Sequence, residues 1–208
     1  MSEYKEYGYN NESPNYAHQY IIPQLIKLIR NNKDSNILDI GCGNGSLACE
    51  LNRLGFHNIY GTDASIEGIN IANKNLKSRF FVQDLNSEEL PTELNEINFE
   101  IIISTEVIEH LYDPAAFITF CKNILLKNGG GTLILSTPYH GYLKNLVLSI
   151  FNKWDDHHTL FWRGGHIKFW SVKTISKLLE DSGFKVTEFK GCGRLPFIWK
   201  SMIIKATI

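Results

Sequence analysis

The run Leu38-Asp39-Ile40-Gly41-Cys42-Gly43-Asn44-Gly45 constrains this chain more than any other. Asn36–Gly41 reads as a short buried strand, and it runs straight into three glycines at GxGxG spacing. Ser46–Leu54 then reads as a helix ended by Gly55. Glycines in such a turn admit positive φ and let a ligand approach the backbone closely. The helix start beyond them leaves N–H groups without intrahelical partners. A strand–turn–helix of this kind serves a dinucleotide or another adenosine compound.

The alternation continues downstream. Asn58–Asp63, Arg79–Gln83, Phe99–Ser104 and Thr132–Thr137 read as strands, with helices over Ile66–Leu76 and Ala115–Leu126 and another over Tyr16–Asn32 ahead of the first strand. Strands apolar on both faces predict a parallel sheet covered on both sides. The tail differs. After a helix over Val172–Leu179, stopped at Gly183, Phe184–Lys190 and Ser201–Thr207 are strands with no helix between them, which predicts an antiparallel pair. The expected fold is therefore α/β: a Rossmann-like three-layer sandwich whose sheet is mostly parallel and closes with a C-terminal hairpin. At 208 residues the chain suits one domain, 1–208. Four cysteines without a CxxC pair give no disulfide framework or zinc spacing. No apolar run reaches the ~20 residues of a membrane span, and the polar start MSEYKEYGYN does not read as a signal peptide. A reducing, cytoplasmic setting is expected.

Three carboxylates follow three successive strands. Asp39 lies two residues before Gly41, where it would discourage a pyrophosphate and can accept from an ammonium group. Asp63 ends the second strand, 22 residues after Gly41, where it can accept both hydroxyls of a ribose. Asp84 follows the third and can accept from the exocyclic amine of adenine. A nicotinamide dinucleotide is disfavoured, because its GxGxxG fingerprint wants glycine where this chain has Ser46. Adenine, ribose and a cationic amino-acid tail together describe S-adenosylmethionine.

With these residues the chain resembles the class I S-adenosylmethionine-dependent methyltransferases over nearly its whole length. LDIGCGNG matches that family's first motif, Gly61-Thr62-Asp63-Ala64-Ser65 its ribose motif, and Gln83-Asp84-Leu85 its adenine motif. Phe99–Ile103 and Gly129–Leu133 are similar to its fourth strand and to the approach to its fifth. The resemblance implies a seven-stranded sheet of order 3-2-1-4-5-7-6. It also implies cofactor contacts from Asp39, Gly41, Gly43, Gly45, Asp63, Ala64, Asp84, Leu85 and Thr105. Within the class, Glu106-Val107-Ile108-Glu109-His110, followed by Asp113-Pro114, is most similar to the ubiquinone-biosynthesis O-methyltransferases. Small-RNA 2′-O-methyltransferases share a similar run and hold a divalent metal with it. If these five residues form a helical turn, Glu106, Glu109 and His110 share one face and can ligate a metal. His166, and after it His140, would supply a further ligand.

Methyl transfer to a hydroxyl needs a base, and histidine titrates nearest neutrality. His110 is the first candidate, just beyond the fourth strand, followed by His166 and His140. Residues 139–170 are the expected substrate lobe, with Tyr139, Tyr142, Phe151, Trp154, Phe161, Trp162, Phe169 and Trp170 suiting a planar or greasy small molecule. Residues 142–154 read as an amphipathic helix, either packed on the core or serving as a lid or peripheral membrane contact. His157 and His158 fall in an expected loop. The helix within residues 1–33 is expected to cap the cofactor, with Tyr4, Tyr7, Tyr9 and Tyr16 available to cover it.

The net charge of −1 hides a division. Residues 1–139 carry 10 Lys and Arg against 17 Asp and Glu, a net of −7, and residues 140–208 carry 11 against 5, a net of +6. With no separate nucleic-acid module and dispersed lysines, the basic part points to an acidic acceptor or anionic surface beside the substrate. RNA 2′-O-methylation and non-catalytic cofactor binding are the alternatives. The assembly expected is a monomer or homodimer.

Overall fold

A computed structural model describes residues 9, 13–76, 79–85, 87, 89–158 and 165–208. Its strands are β1 (Ile37–Ile40), β2 (Ile59–Asp63), β3 (Phe80–Val82), β4 (Ile101–Thr105), β5 (Thr132–Pro138), β6 (Lys185–Cys192) and β7 (Ser201–Thr207). The helices are α1 (His18–Ile29), α2 (Ser46–Arg53), α3 (Ile66–Asn75), α4 (Pro114–Leu126), α5 (Tyr142–Ile150), α6 (Trp154–His158) and α7 (Val172–Asp181).

Strands that are apolar on both faces need cover on both, and alternation sends successive side chains to opposite layers. Leu38, Ile40, Ile102, Leu133 and Leu135 face one layer, where they meet Phe117, Ile118, Cys121 and Leu125 of α4 and Ile175 and Leu179 of α7. Ile37, Ile101, Ile103 and Ile134 face the other, against Ile21 and Leu25 of α1, Leu47 and Leu51 of α2 and Ile69 of α3. By the same alternation Asp39 belongs to the second row, among the isoleucines.

The seven strands run in the order β3-β2-β1-β4-β5-β7-β6. Neighbouring strands are parallel from β3 through β5. β7 runs antiparallel to both β5 and β6. This is the mostly parallel sheet with a closing hairpin read from the sequence. Chain direction reverses its progress across the sheet between β1 and β4, which opens a crevice at the carboxyl ends of those strands.

α1 is a layer of the core, burying Ile21, Leu25, Leu28 and Ile29 against the sheet. Two expectations further along the chain need correction. The helix read over residues 142–154 is interrupted. α5 ends at Ile150, Asn152 adopts φ 49, and α6 begins at Trp154. His157 and His158 therefore lie in a helix, not a loop.

The polarity of α5 is also inverted. Lys144 and Leu148 are its buried residues, whereas Leu143, Leu146, Val147 and Ile150 are exposed, Ile150 by 67%. Among the described residues no helix is long and apolar enough to cross a membrane.

Candidate active site

The glycine turn is strapped to the end of β2. The N–H groups of Gly41 and Cys42 both donate to the Thr62 carbonyl, at 2.7 and 3.0 Å. The Asp63 carboxylate accepts from the Gly43 N–H and the Ser65 N–H, each at 2.8 Å. Gly41, Gly43 and Gly45 all take positive φ, 80, 54 and 73°, which explains why the turn carries glycine at those places. A methyl group on Gly43 would sit 2.5 Å from the hydroxyl of Tyr9, so this tyrosine lies flush on the turn. Of the aromatic cover expected from the N-terminus, Tyr16 lies instead beside Lys200, and Tyr4 and Tyr7 are outside the described residues.

Asp39 is 1% exposed, and among the described residues neither of its carboxylate oxygens has a hydrogen-bond partner. Burial, reinforced by the nearby charge of Asp63, raises its pKa to about 8. A side chain so placed is poorly suited to the apolar layer around it. It is well suited to receive a cation from the turn. Ala64 follows Asp63 directly, and beyond β3 Asp84 is exposed while Leu85 packs against the core. Thr105 ends β4 opposite Ser136 of β5.

The carboxyl end of β4 departs from the expected helical turn. Glu106 takes a left-handed φ of 55°, and only Ile108–His110 form a short 3-10 turn. Glu106 is thereby separated from Glu109 and His110. Its carboxylate accepts from Ser136 Oγ at 2.8 Å and Ser201 Oγ at 3.1 Å, which draws it between β5 and β7. Burial raises its pKa to about 7 against the pull of those hydroxyls. The expected ligand set of Glu106, Glu109 and His110 is thus replaced by Glu109, His110 and His166, whose ligating atoms all lie within 4.8 Å of one another.

Glu109 is fully buried. One oxygen accepts from Thr137 Oγ1 at 3.0 Å, and the other, without a hydrogen bond, lies 3.9 Å from His110 Nε2. Burial and the charge of Glu106 push its pKa well above the usual carboxylate range. His110 Nδ1 lies 3.3 Å from the Gly165 carbonyl. A carbonyl only accepts, so Nδ1 carries the proton and Nε2 the lone pair directed toward Glu109. The rings of His110 and His166 meet edge to face at 5.0 Å. Val107 abuts Gly41, where an added methyl would lie 2.3 Å from Val107 Cγ2, so this group adjoins the glycine turn.

His140 stands in an adjacent cluster. Its ring centroid lies 5.6 Å from those of both His157 and His158 and 5.1 Å from that of Phe169. Trp154 stacks on His158 at 4.8 Å. Burial lowers His140 to about 3 and His157 and His166 to about 4, so these imidazoles are neutral at physiological pH. Tyr142 and Phe151 point outward rather than into this cluster, and Tyr139 packs on Trp199. Phe161 and Trp162 lie outside the described residues.

Residues 15–188 match the family described as methyltransferase domain. The chain belongs to this methyltransferase family. It is 32% identical over 166 residues, 76% of its own length and 63% of the relative's, to a ubiquinone biosynthesis O-methyltransferase of Dinoroseobacter shibae. It is 30% identical over 181 residues to the like-named protein of a Bradyrhizobium species, covering 82% of this chain and 69% of that one. Against two further relatives, from Ruegeria and human, the match spans 66% and 50% of their length. The chain thus spans between half and two thirds of several curated relatives. Among solved structures, magnesium protoporphyrin IX methyltransferase of Synechocystis, determined with bound SAH, shares the fold with a TM-score of 0.67 at 21% identity, over 97% of this chain and 90% of that one.

S-adenosylmethionine fits the methyltransferase turn on one local observation: two buried, unpartnered Asp39 oxygens suit the cationic end of its amino-acid tail. Sequence reasoning missed Ser136, Ser201 and Thr137 as partners of the two glutamates. Serine and threonine in strands carry no signal of what lies across the sheet.

Asp39 also makes stability depend on pH. Its folded pKa is raised, so the folded state binds more protons and the cofactor-free fold loses stability as pH rises from about 4 to about 8. Asp39→Asn removes that loss. Urea denaturation should show a gain over the parent that grows across this window to the order of 1 to 3 kcal/mol. The same variant should bind S-adenosylhomocysteine at least about tenfold more weakly. Equal pH profiles for variant and parent would contradict the assignment.

Proposed function

We propose that the chain is an S-adenosylmethionine-dependent methyltransferase acting on an oxygen of a small acceptor, phenolic or quinol-like with an apolar portion. The grouping of Glu109, His110 and His166 beside the glycine turn carries this reading. The names of the relatives at about 30% identity support oxygen as the acceptor atom.

When bound, S-adenosylmethionine supplies an electrophilic methyl group on a sulfonium. Asp39 would receive its ammonium, Asp63 its ribose hydroxyls, and Asp84 the adenine amine. The protein's remaining work is to align an acceptor hydroxyl and remove its proton. His110 serves this with Nε2, because the Gly165 carbonyl holds its proton on Nδ1. Glu109 Oε1 lies 3.9 Å from this nitrogen. Two imidazoles and a carboxylate are also a fitting donor set for a divalent metal. A metal there would lower the pKa of an acceptor hydroxyl.

His110→Ala should reduce turnover of a catechol acceptor by at least ~100-fold. Its affinity for S-adenosylhomocysteine should stay within about twofold of the parent, because His110 is outside the cofactor contacts. Activity that survives chelator would keep Nε2 as the base, and a loss restored by Mg²⁺ or Zn²⁺ would give that nitrogen to a metal instead. Unimpaired turnover in the variant would remove His110 from the mechanism. Label transferred to an RNA 2′-hydroxyl and to no catechol would replace the small-molecule reading.

The outward face of α5 fits the delivery of a greasy acceptor. Leu143, Leu146, Val147 and Ile150 form an exposed apolar stripe. This face would rest on a bilayer surface. The parent should co-sediment with vesicles containing phosphatidylglycerol, and the double variant Leu146→Glu, Ile150→Glu should not. Equal recovery of the two would exclude this face.

A further inference from the structure

The chain just beyond β3 carries a polar side chain that the core around it does not need. Gln83 is 5% exposed. Its N–H donates to the Asp63 carbonyl at 2.9 Å, so the pairing with β2 continues one residue past the end of β3. Side chains alternate along such a segment. Gln83 therefore shares a face with Phe81 and Leu85, which pack on the layer that holds Leu90 and Leu94. An amide in that company needs partners for its donors and its acceptor. Nε2 has one, the Glu89 carbonyl at 2.9 Å. Among the described residues Oε1 has none.

The Glu89 bond fixes which end of the amide is which. A carbonyl only accepts, so the reversed amide would set two acceptors against each other. Oε1 is thus held in place as a buried acceptor. Its neighbours are the two carboxylates assigned to the nucleoside. Asp84 follows Gln83 directly in the chain, and Asp63 is the residue whose carbonyl the Gln83 N–H meets. A nucleoside held by its ribose at Asp63 and by its base at Asp84 would lie beside Gln83. The exocyclic amine of adenine has two N–H donors. Asp84 is exposed, and as a single acceptor at the surface it accounts for one of them.

We propose that Gln83 Oε1 accepts the second N–H of the adenine amine and makes the site selective for adenine over a base that carries a carbonyl there. The proposal rests on the cofactor reading above and adds a specificity-determining residue to it. A carbonyl brought to the same place would meet an acceptor that cannot turn over, because turning over breaks the Glu89 bond. A buried acceptor left unmatched costs more than a lost contact at the surface. The competing role is mechanical: Gln83 only ties the chain at Glu89 to the end of β3. In that case its removal weakens every nucleoside ligand alike.

The test compares S-adenosylhomocysteine with S-inosylhomocysteine, its deamination product, in which the amine is replaced by a carbonyl. Binding of each to the full chain is measured by calorimetry. The parent should hold the adenosine compound at least about thirtyfold more tightly. Gln83→Leu should lower that ratio at least about fivefold, because only the adenosine compound loses a hydrogen bond. Asp84→Ala should keep a preference of at least about fivefold, because the buried acceptor remains. Equal weakening of both compounds in Gln83→Leu, with the ratio unchanged, gives Gln83 the mechanical role and overturns the proposal. A preference that vanishes in Asp84→Ala overturns it as well. If Gln83→Leu fails to fold, Gln83→Met replaces it and the ratio in Asp84→Ala still decides. A parent that binds neither compound overturns the cofactor reading and the proposal together. Binding of S-adenosylhomocysteine without preference over the inosine compound overturns the proposal alone.

Discussion

Asp39 lies in a four-residue strand whose every side chain is buried, and its carboxylate meets no donor among the described residues. A fold tolerates such a group only where other interactions hold the strand in place. β1 is held by parallel pairing on both sides, to β2 and β4, and by apolar layers above and below. The same pairing delivers the glycine turn to the carboxyl ends of the strands. There the Thr62 carbonyl and the Asp63 carboxylate strap it down. A strapped turn and an unsatisfied carboxyl group beneath it are one design: the scaffold's strength sustains a locally unfavourable group, which a cationic ligand would relieve.

The same logic extends along the rim. Glu106, Glu109, Lys144 and the histidines are buried titratable groups, each shifted toward its neutral form by burial. Hydroxyls of Ser136, Thr137 and Ser201 on β5 and β7 satisfy both oxygens of Glu106 and one of Glu109. The antiparallel hairpin matters here, because Ser201 reaches Glu106 only through the pairing of β7 with β5.

The sheet was legible because its signals are local. Apolar runs such as IIIS at Ile101–Ser104 have one reasonable reading, and Ser201–Thr207 is the strand found at those residues. The order of the strands came from resemblance, since periodicity carries no information about which strand lies beside which. Asp39, Asp63 and Asp84 could be singled out because each stands at or near the end of a strand that the sequence marks. The acceptor side was not. The left-handed backbone at Glu106 breaks a spacing that looked helical, and nothing in the letters of residues 106–110 marks it. The inverted α5 shows the apolar stripe expected of a packed helix, so its pattern points the wrong way. His110 and His166 meet only through the fold, 56 positions apart in the chain.

The most direct measurement is of the protons exchanged when cofactor binds. Asp39 is mostly protonated at pH 7 in the cofactor-free protein, and an ammonium placed beside it would expel that proton. Calorimetric titration with S-adenosylhomocysteine at pH 7, in buffers of different ionisation enthalpy, should show release of about one proton per molecule bound. Binding with no proton released would mean that the buried carboxylate does not meet the cofactor, and would contradict the account.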